Sequence, residues 1–119
     1  MKRVAYLSAC LLLLGSCTND VIEPKKADIP DQVSFAANVV PIFNLSCNNT
    51  GCHAPGGKSP DLSAGVAYDN LNLYGLIDVD VPESSSIYIK ITSGTMKQYA
   101  KPGDAEIILK WIQQGAIEN

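Results

Sequence analysis

At 119 residues the chain has room for a single domain with a modest core. Twelve acidic against nine basic side chains give a net charge of −3, with no basic stripe to neutralise phosphates, which argues against a nucleic-acid partner. One His and four Cys make ligand chemistry scarce enough to follow residue by residue.

Lys2 and Arg3 precede an apolar run from Val4 to Leu14, and the small residues Gly15 and Ser16 follow. That is the shape of a secretory signal peptide. At eleven residues the run is short of the roughly 20 that a hydrocarbon core requires. Leu14-Gly15-Ser16-Cys17 resembles the lipobox of bacterial lipoproteins. The resemblance implies that residues 1–16 are removed and that Cys17, lipidated, becomes the new N-terminus. The plainer alternative is ordinary signal cleavage, with Cys17 a bystander thiol. Thr18 in place of Asp after the Cys implies sorting to the outer membrane. The expected location is the cell envelope, on the periplasmic or the surface face. Loss of Lys2 and Arg3 takes the net charge from −3 to −5.

Residues 17–31 carry Asp20, Glu23, Pro24, Lys25, Lys26, Asp28, Pro30 and Asp31 with few apolar side chains, a composition that predicts a flexible tether. The folded domain is expected over residues 32–119. Val33 to Leu45 predicts a helix, with Phe35, Val39, Ile42 and Phe43 as its stripe and Ser34 as cap. Pro41 should kink or break it. The Gly- and Pro-rich stretch from Ala54 to Pro60 predicts a loop, and Tyr68 to Ile77 a helix with Leu71, Tyr74 and Ile77 on one face. From Ile87 to Ile91 apolar residues alternate, which alone reads as a strand, although Pro82-Glu83-Ser84 is a plausible helix start. The last helix is sharply marked. Gly103 or Asp104 caps it, Glu106 stands where a capping-box partner belongs, Ile107, Ile108, Trp111 and Ile112 form its stripe, and Gly115 ends it.

The chemistry concentrates in Cys47-Asn48-Asn49-Thr50-Gly51-Cys52-His53. The usual haem-attachment motif is C-x-x-C-H, in which two thiols add across haem vinyl groups and the adjacent His falls under the iron. Here the first Cys lies two residues further away. Asn48, Asn49, Thr50 and Gly51 are turn formers through which the extra length would bulge outward. A Cys47–Cys52 disulfide in an oxidising compartment reads almost as well. Structural zinc does not, because it wants four ligands and the chain offers two thiols and one His here.

The order of helix, cysteine motif, Gly/Pro loop, short helices, one Met and a terminal helix with Trp resembles small bacterial monohaem c-type cytochromes, particularly the planctomycete-type cytochrome c family. The segments that carry the likeness are Val33–Phe43, Asp61-Leu62-Ser63, Tyr68–Leu71, Pro82–Lys90 and Ile107–Ala116. The likeness covers residues 32–117. It implies an all-α, cytochrome c-like domain around one covalent haem c, held by Cys47 and Cys52 with His53 and Met96 as axial iron ligands. It also implies that residues 83–91 are helical. Two features depart from the family: the cysteine spacing, and Lys97-Gln98 after Met96 where the family has Pro-Pro. The less rigid Met loop makes Lys97 the expected replacement ligand at alkaline pH. Trp111, Ile108, Ile112, Phe35, Val39 and Phe43 are expected to cover the haem. Lys90, Lys97, Lys101 and Lys110 read as ordinary solvated lysines.

The expected function is therefore electron transfer with a redox partner protein at a membrane reached through the lipid anchor, with no enzymatic turnover. The alternatives are a haem-free lipoprotein interaction module with a Cys47–Cys52 disulfide, and an open-site haem sensor or peroxidase. The anchor has its own test. Cys17→Ser should move most of the protein from the membrane to the soluble fraction, or leave it as uncleaved precursor, in a fractionation blot; unchanged membrane attachment refutes lipidation.

Overall fold

The computed structural model describes residues 27–119; the expected signal peptide, Cys17 and the expected tether as far as Lys26 lie outside the described residues. Four helices and two single 3₁₀ turns, Pro82–Ser84 and Lys97–Tyr99, make up the regular structure, and no strand occurs among the described residues. The fold class is all-α. No helix there is long and apolar enough to cross a membrane.

Ser34 opens α1 (residues 35–47) with extended backbone, and its Oγ accepts the Ala37 N–H at 3.1 Å. Phe35, Val39, Ile42 and Phe43 are buried along one side, as their spacing predicts. The helix nevertheless runs straight through Pro41. It does so by widening: Phe35–Val39 and Phe43–Cys47 are π-helical, and only Val40–Ile42 is α-helical. The Val40 N–H reaches back to the Phe35 carbonyl, and Asn48 N–H to that of Phe43. In the wider turn the proline ring avoids the carbonyl four residues behind it, the clash that normally breaks a helix. The exposed N–H groups at the start of α1 find partners at the far end of the chain. Ala36 N–H and Ser34 Oγ donate to the Asn119 carbonyl at 2.9 and 2.8 Å, and Phe35 N–H donates to Asn119 Oδ1 at 2.8 Å.

α2 (Ala67–Leu73) is shorter than its sequence suggests. Gly75, at φ +59°, donates to the Asn72 carbonyl, and Leu76 N–H donates to that of Leu71, the paired bonds of a Schellman stop. Leu71 is consequently buried while Tyr74, just past the helix, is exposed. The stretch expected as helix over 83–91 is helical in two pieces, the 3₁₀ turn Pro82–Ser84 and α3 (Ser86–Thr92), separated at Ser85, whose ψ is 127°. Ile87 is buried and Ile89 is 45% exposed, a split that a strand would not produce because both would share one face. Buried Ser85 joins α3 to the preceding loop: its Oγ accepts the Asp78 N–H at 2.9 Å and donates to the Asp78 carbonyl at 3.2 Å.

α4 (Asp104–Gln113) starts at Gly103, whose φ of +96° suits glycine. A glycine cap offers no side chain, so the capping box expected of Glu106 does not form. Asp104 Oδ2 instead accepts the Lys101 N–H at 2.8 Å. The helix ends as predicted at Gly115, with the Ala116 N–H on the Trp111 carbonyl at 3.0 Å and Gly115 N–H on that of Ile112 at 2.9 Å.

Trp111 is the middle of the core. Its ring lies 5.0 Å from Phe35 and 6.4 Å from Tyr68, centroid to centroid, and its Nε1 donates to the Ile117 carbonyl at 2.9 Å. α1 and α4 therefore cross at this aromatic contact. Residues 27–31, expected as tether, lie along α4: a Cβ on Gly103 would strike Ala27, and Gln114 Nε2 donates to the Asp31 carbonyl at 2.7 Å. Phe35→Ala should cost about 3–5 kcal/mol of stability by opening a cavity at this crossing. Gly115→Ala, strained only by its positive φ, should cost about 1–2 kcal/mol. Urea unfolding of the two variants checks both values and their order.

Candidate functional site

α1 delivers Cys47 on its last residue. Asn49, Thr50 and Gly51 then bulge into solvent, with Gly51 at φ +80°, and the chain returns so that His53 N–H donates to the Cys47 carbonyl at 3.1 Å. That bond closes the motif across its two extra residues. The following loop holds the rest of it. Lys58 N–H donates to the Cys52 carbonyl at 2.6 Å and Leu62 N–H to that of His53 at 2.8 Å. A side chain at Gly57 would collide with the Cys52 carbonyl, so this loop folds tightly only with glycine there.

His53 is half-buried, and its Nδ1 lies 2.8 Å from the Pro60 carbonyl. A carbonyl only accepts, so Nδ1 carries the proton and Nε2 keeps its lone pair for a ligand. This backbone acceptor orients the ring as second-sphere partners orient metal-binding imidazoles.

Cys47, Cys52, His53 and Met96 all line one cavity of about 420 Å³. Its walls are mainly apolar: Ile42, Phe43, Leu62, Leu71, Ile87 and Ile108 contribute from every helix. The volume is that of a small-molecule or cofactor site. Met96 reaches it from a loop folded back on α3, where Met96 N–H donates to the Lys90 carbonyl at 3.0 Å and Gly94 N–H to that of Ile89 at 2.8 Å. Among the described residues no group of three or more His, Cys, Asp and Glu side chains is close enough to hold a metal ion. The two thiols and the imidazole thus share a cavity without meeting at a point. The Ser46 hydroxyl, on the same wall, is buried without a hydrogen-bond partner.

The two cysteines are free thiols in unequal settings: Cys52 is exposed and Cys47 half-buried. Burial pushes the Cys47 thiol up to about 11, with smaller contributions from the Asp104 carboxylate and from Cys52. Cys47 accordingly stays protonated at neutral pH, which slows any disulfide closure that needs its thiolate.

Some residues expected at the site stand elsewhere. Phe43 and Ile108 line the cavity, but Phe35, Val39, Trp111 and Ile112 are buried outside its lining. Lys97 is exposed and absent from the lining, whereas Lys58 and Lys90 belong to it. Asp104, Pro60 and Leu62 were not legible as site residues. Asp104 carries only a helix-cap signal, and Leu62 stands in a loop without periodicity. Comparisons with protein-family models, curated proteins and solved structures find no match for the chain.

In the cofactor-free chain, Cys52 should alkylate with iodoacetamide well before Cys47 at pH 8, because it is exposed. The Cys47 rate should keep rising as pH approaches 11. The raised thiol also sets a sign for stability. Between its ordinary value of 9.0 and about 11 the unfolded chain holds fewer protons, so stability should fall as pH rises through that window. Peptide mapping of labelled thiols and urea unfolding against pH check the two expectations.

Proposed function

We propose that residues 32–119 form a cytochrome c-like domain that holds one covalent haem c and transfers single electrons, anchored at a membrane surface by a lipid on Cys17. The observation that carries the reading is the shared cavity: Cys47, Cys52, His53 and Met96, far apart in part along the chain, line the same apolar space. The residues fit the group on three counts. The cavity wall is mainly apolar, the His53 Nε2 lone pair is left free by the Pro60 carbonyl on Nδ1, and the buried Ser46 hydroxyl has no hydrogen-bond partner.

Haem would supply the one-electron chemistry, its iron changing charge by one unit. The chain's own residues do the rest. Cys47 and Cys52 would hold the group through thioethers, His53 and Met96 would ligate the iron, and a thioether opposite an imidazole favours a raised potential. Phe43, Ile87 and Ile108 exclude water and lower the local dielectric. If His53 and Met96 both ligate the iron, no site would be left open for substrate, which favours carriage of electrons to and from a redox partner protein over sensing or peroxide chemistry.

Expressed with a cytochrome c maturation system, the protein should be red and keep its haem through denaturing electrophoresis. Cys52→Ala should lose most covalent haem, and Cys47→Ala less, since Cys52 adjoins His53 while Cys47 lies across the bulge. A colourless protein two hydrogens lighter than its dithiol mass refutes the reading in favour of the disulfide module. Met96→Ala should lower the potential and admit carbon monoxide. If wild-type protein lacks the ferric sulfur-to-iron charge-transfer band and binds carbon monoxide readily, Met96 is not a ligand and sensing or peroxide chemistry takes precedence.

A further inference from the structure

The cavity lining contains a single carboxylate, Asp104, at the first position of α4. Its place in the lining, not its burial, sets it apart from the other half-buried acids, Asp61 and Asp78. It is half-buried, its Oδ2 is fixed by the Lys101 N–H at 2.8 Å, and no ion pair among the described residues involves it. The helix N-terminus beneath it favours a negative charge at that place. The lining's two cations, Lys58 and Lys90, are on exposed residues, where solvent and salt screen an ammonium group strongly.

We propose that Asp104 is a potential-setting residue: its fixed carboxylate presents one negative charge to the group bound in the cavity and lowers that group's reduction potential. The inference rests on the haem reading above. The sign follows from charge alone. The oxidised form of the bound group carries one more positive charge than the reduced form, so a nearby anion stabilises the oxidised form more. In a partly desolvated site that difference is larger than it would be at the surface. Met96 and Asp104 therefore act in opposite directions, the thioether raising the potential and the carboxylate restraining it.

The test is redox titration of the mature holoprotein. Asp104→Asn keeps a side-chain oxygen for the Lys101 N–H, and Asp104→Ser offers a second neutral cap. Both should fold, keep the wild-type Soret and charge-transfer bands, and titrate at a more positive potential. Glu106→Gln removes an equal charge from the same helix, but at an exposed residue outside the cavity lining. It should shift the potential much less. At about 1 M salt, where the Debye length falls to about 3 Å, the Glu106→Gln shift should vanish and most of the Asp104→Asn shift should persist. A red protein in which the Asp104 variants move no further than Glu106→Gln overturns this inference and leaves the haem reading intact. A protein without a Soret band overturns both.

Discussion

The contact on which the rest depends is the crossing of α1 and α4 at Phe35 and Trp111. The two rings stand 5.0 Å apart between centroids, tilted by 35°, and both are buried in the core. Hydrogen bonds lock the crossing on both sides: Val33 N–H donates to Gln114 Oε1 at 2.9 Å, and the Asn119 carbonyl receives Ala36 N–H. Because α1 is pinned at its beginning, its end is aimed. Cys47 arrives at the cavity at one end of α1, and Asp104 arrives there at the start of α4. The aromatic cluster is thus the hinge of a wedge whose open side is the candidate site.

Among the described residues, nothing opposite the hinge closes that open side with a comparable aromatic contact. The cavity is bounded there by the 54–62 loop, by α3 and by the Met96 loop, all held largely by backbone hydrogen bonds. A domain of this size buries a small core, and a large apolar cavity beside that core removes still more packing. A covalently attached group filling the space would add the missing contacts and tie the loop to α1. The proposed cofactor would then be as much a structural partner as a redox centre. Its effect on stability should be cooperative with the Phe35–Trp111 contact rather than independent of it.

The parts of the molecule that were legible in the sequence are those written in short range. The Ser34 cap, the α1 stripe, the α4 stripe and the Gly115 stop each depend on residues within a few positions of one another. The strand-like alternation of Ile87, Ile89 and Ile91 shows the limit of that rule. Three apolar residues at period two fit a helix equally well when the middle one faces solvent. Pro41 misled for a different reason: the cost of proline is calculated for an α-helical turn, and α1 sidesteps it by winding more widely. At the site, Cys47, Cys52 and His53 announce themselves by spacing. Pro60, Lys90 and Asp104 do not, because a carbonyl acceptor and a wall charge are assigned by how distant elements pack, which no local pattern records.

The wide winding of α1 also sorts where this chain can change its length. Between the cysteines, an added or lost residue is taken up in an exposed bulge closed by two backbone hydrogen bonds, from the Cys52 N–H to the Asn49 carbonyl and from the His53 N–H to that of Cys47. Within α1 there is no such slack. Each residue turns an α-helix by roughly 100°, and a wider π-turn by somewhat less, so one deletion ahead of Cys47 would still swing its thiol off the cavity wall while Phe35 stayed pinned to Trp111. The helix is a phase standard and the bulge is its tolerance. A departure of two residues in cysteine spacing therefore sits in the segment able to absorb it, and homologous chains should differ in length at 48–51 while keeping the count from Phe35 to Cys47 constant.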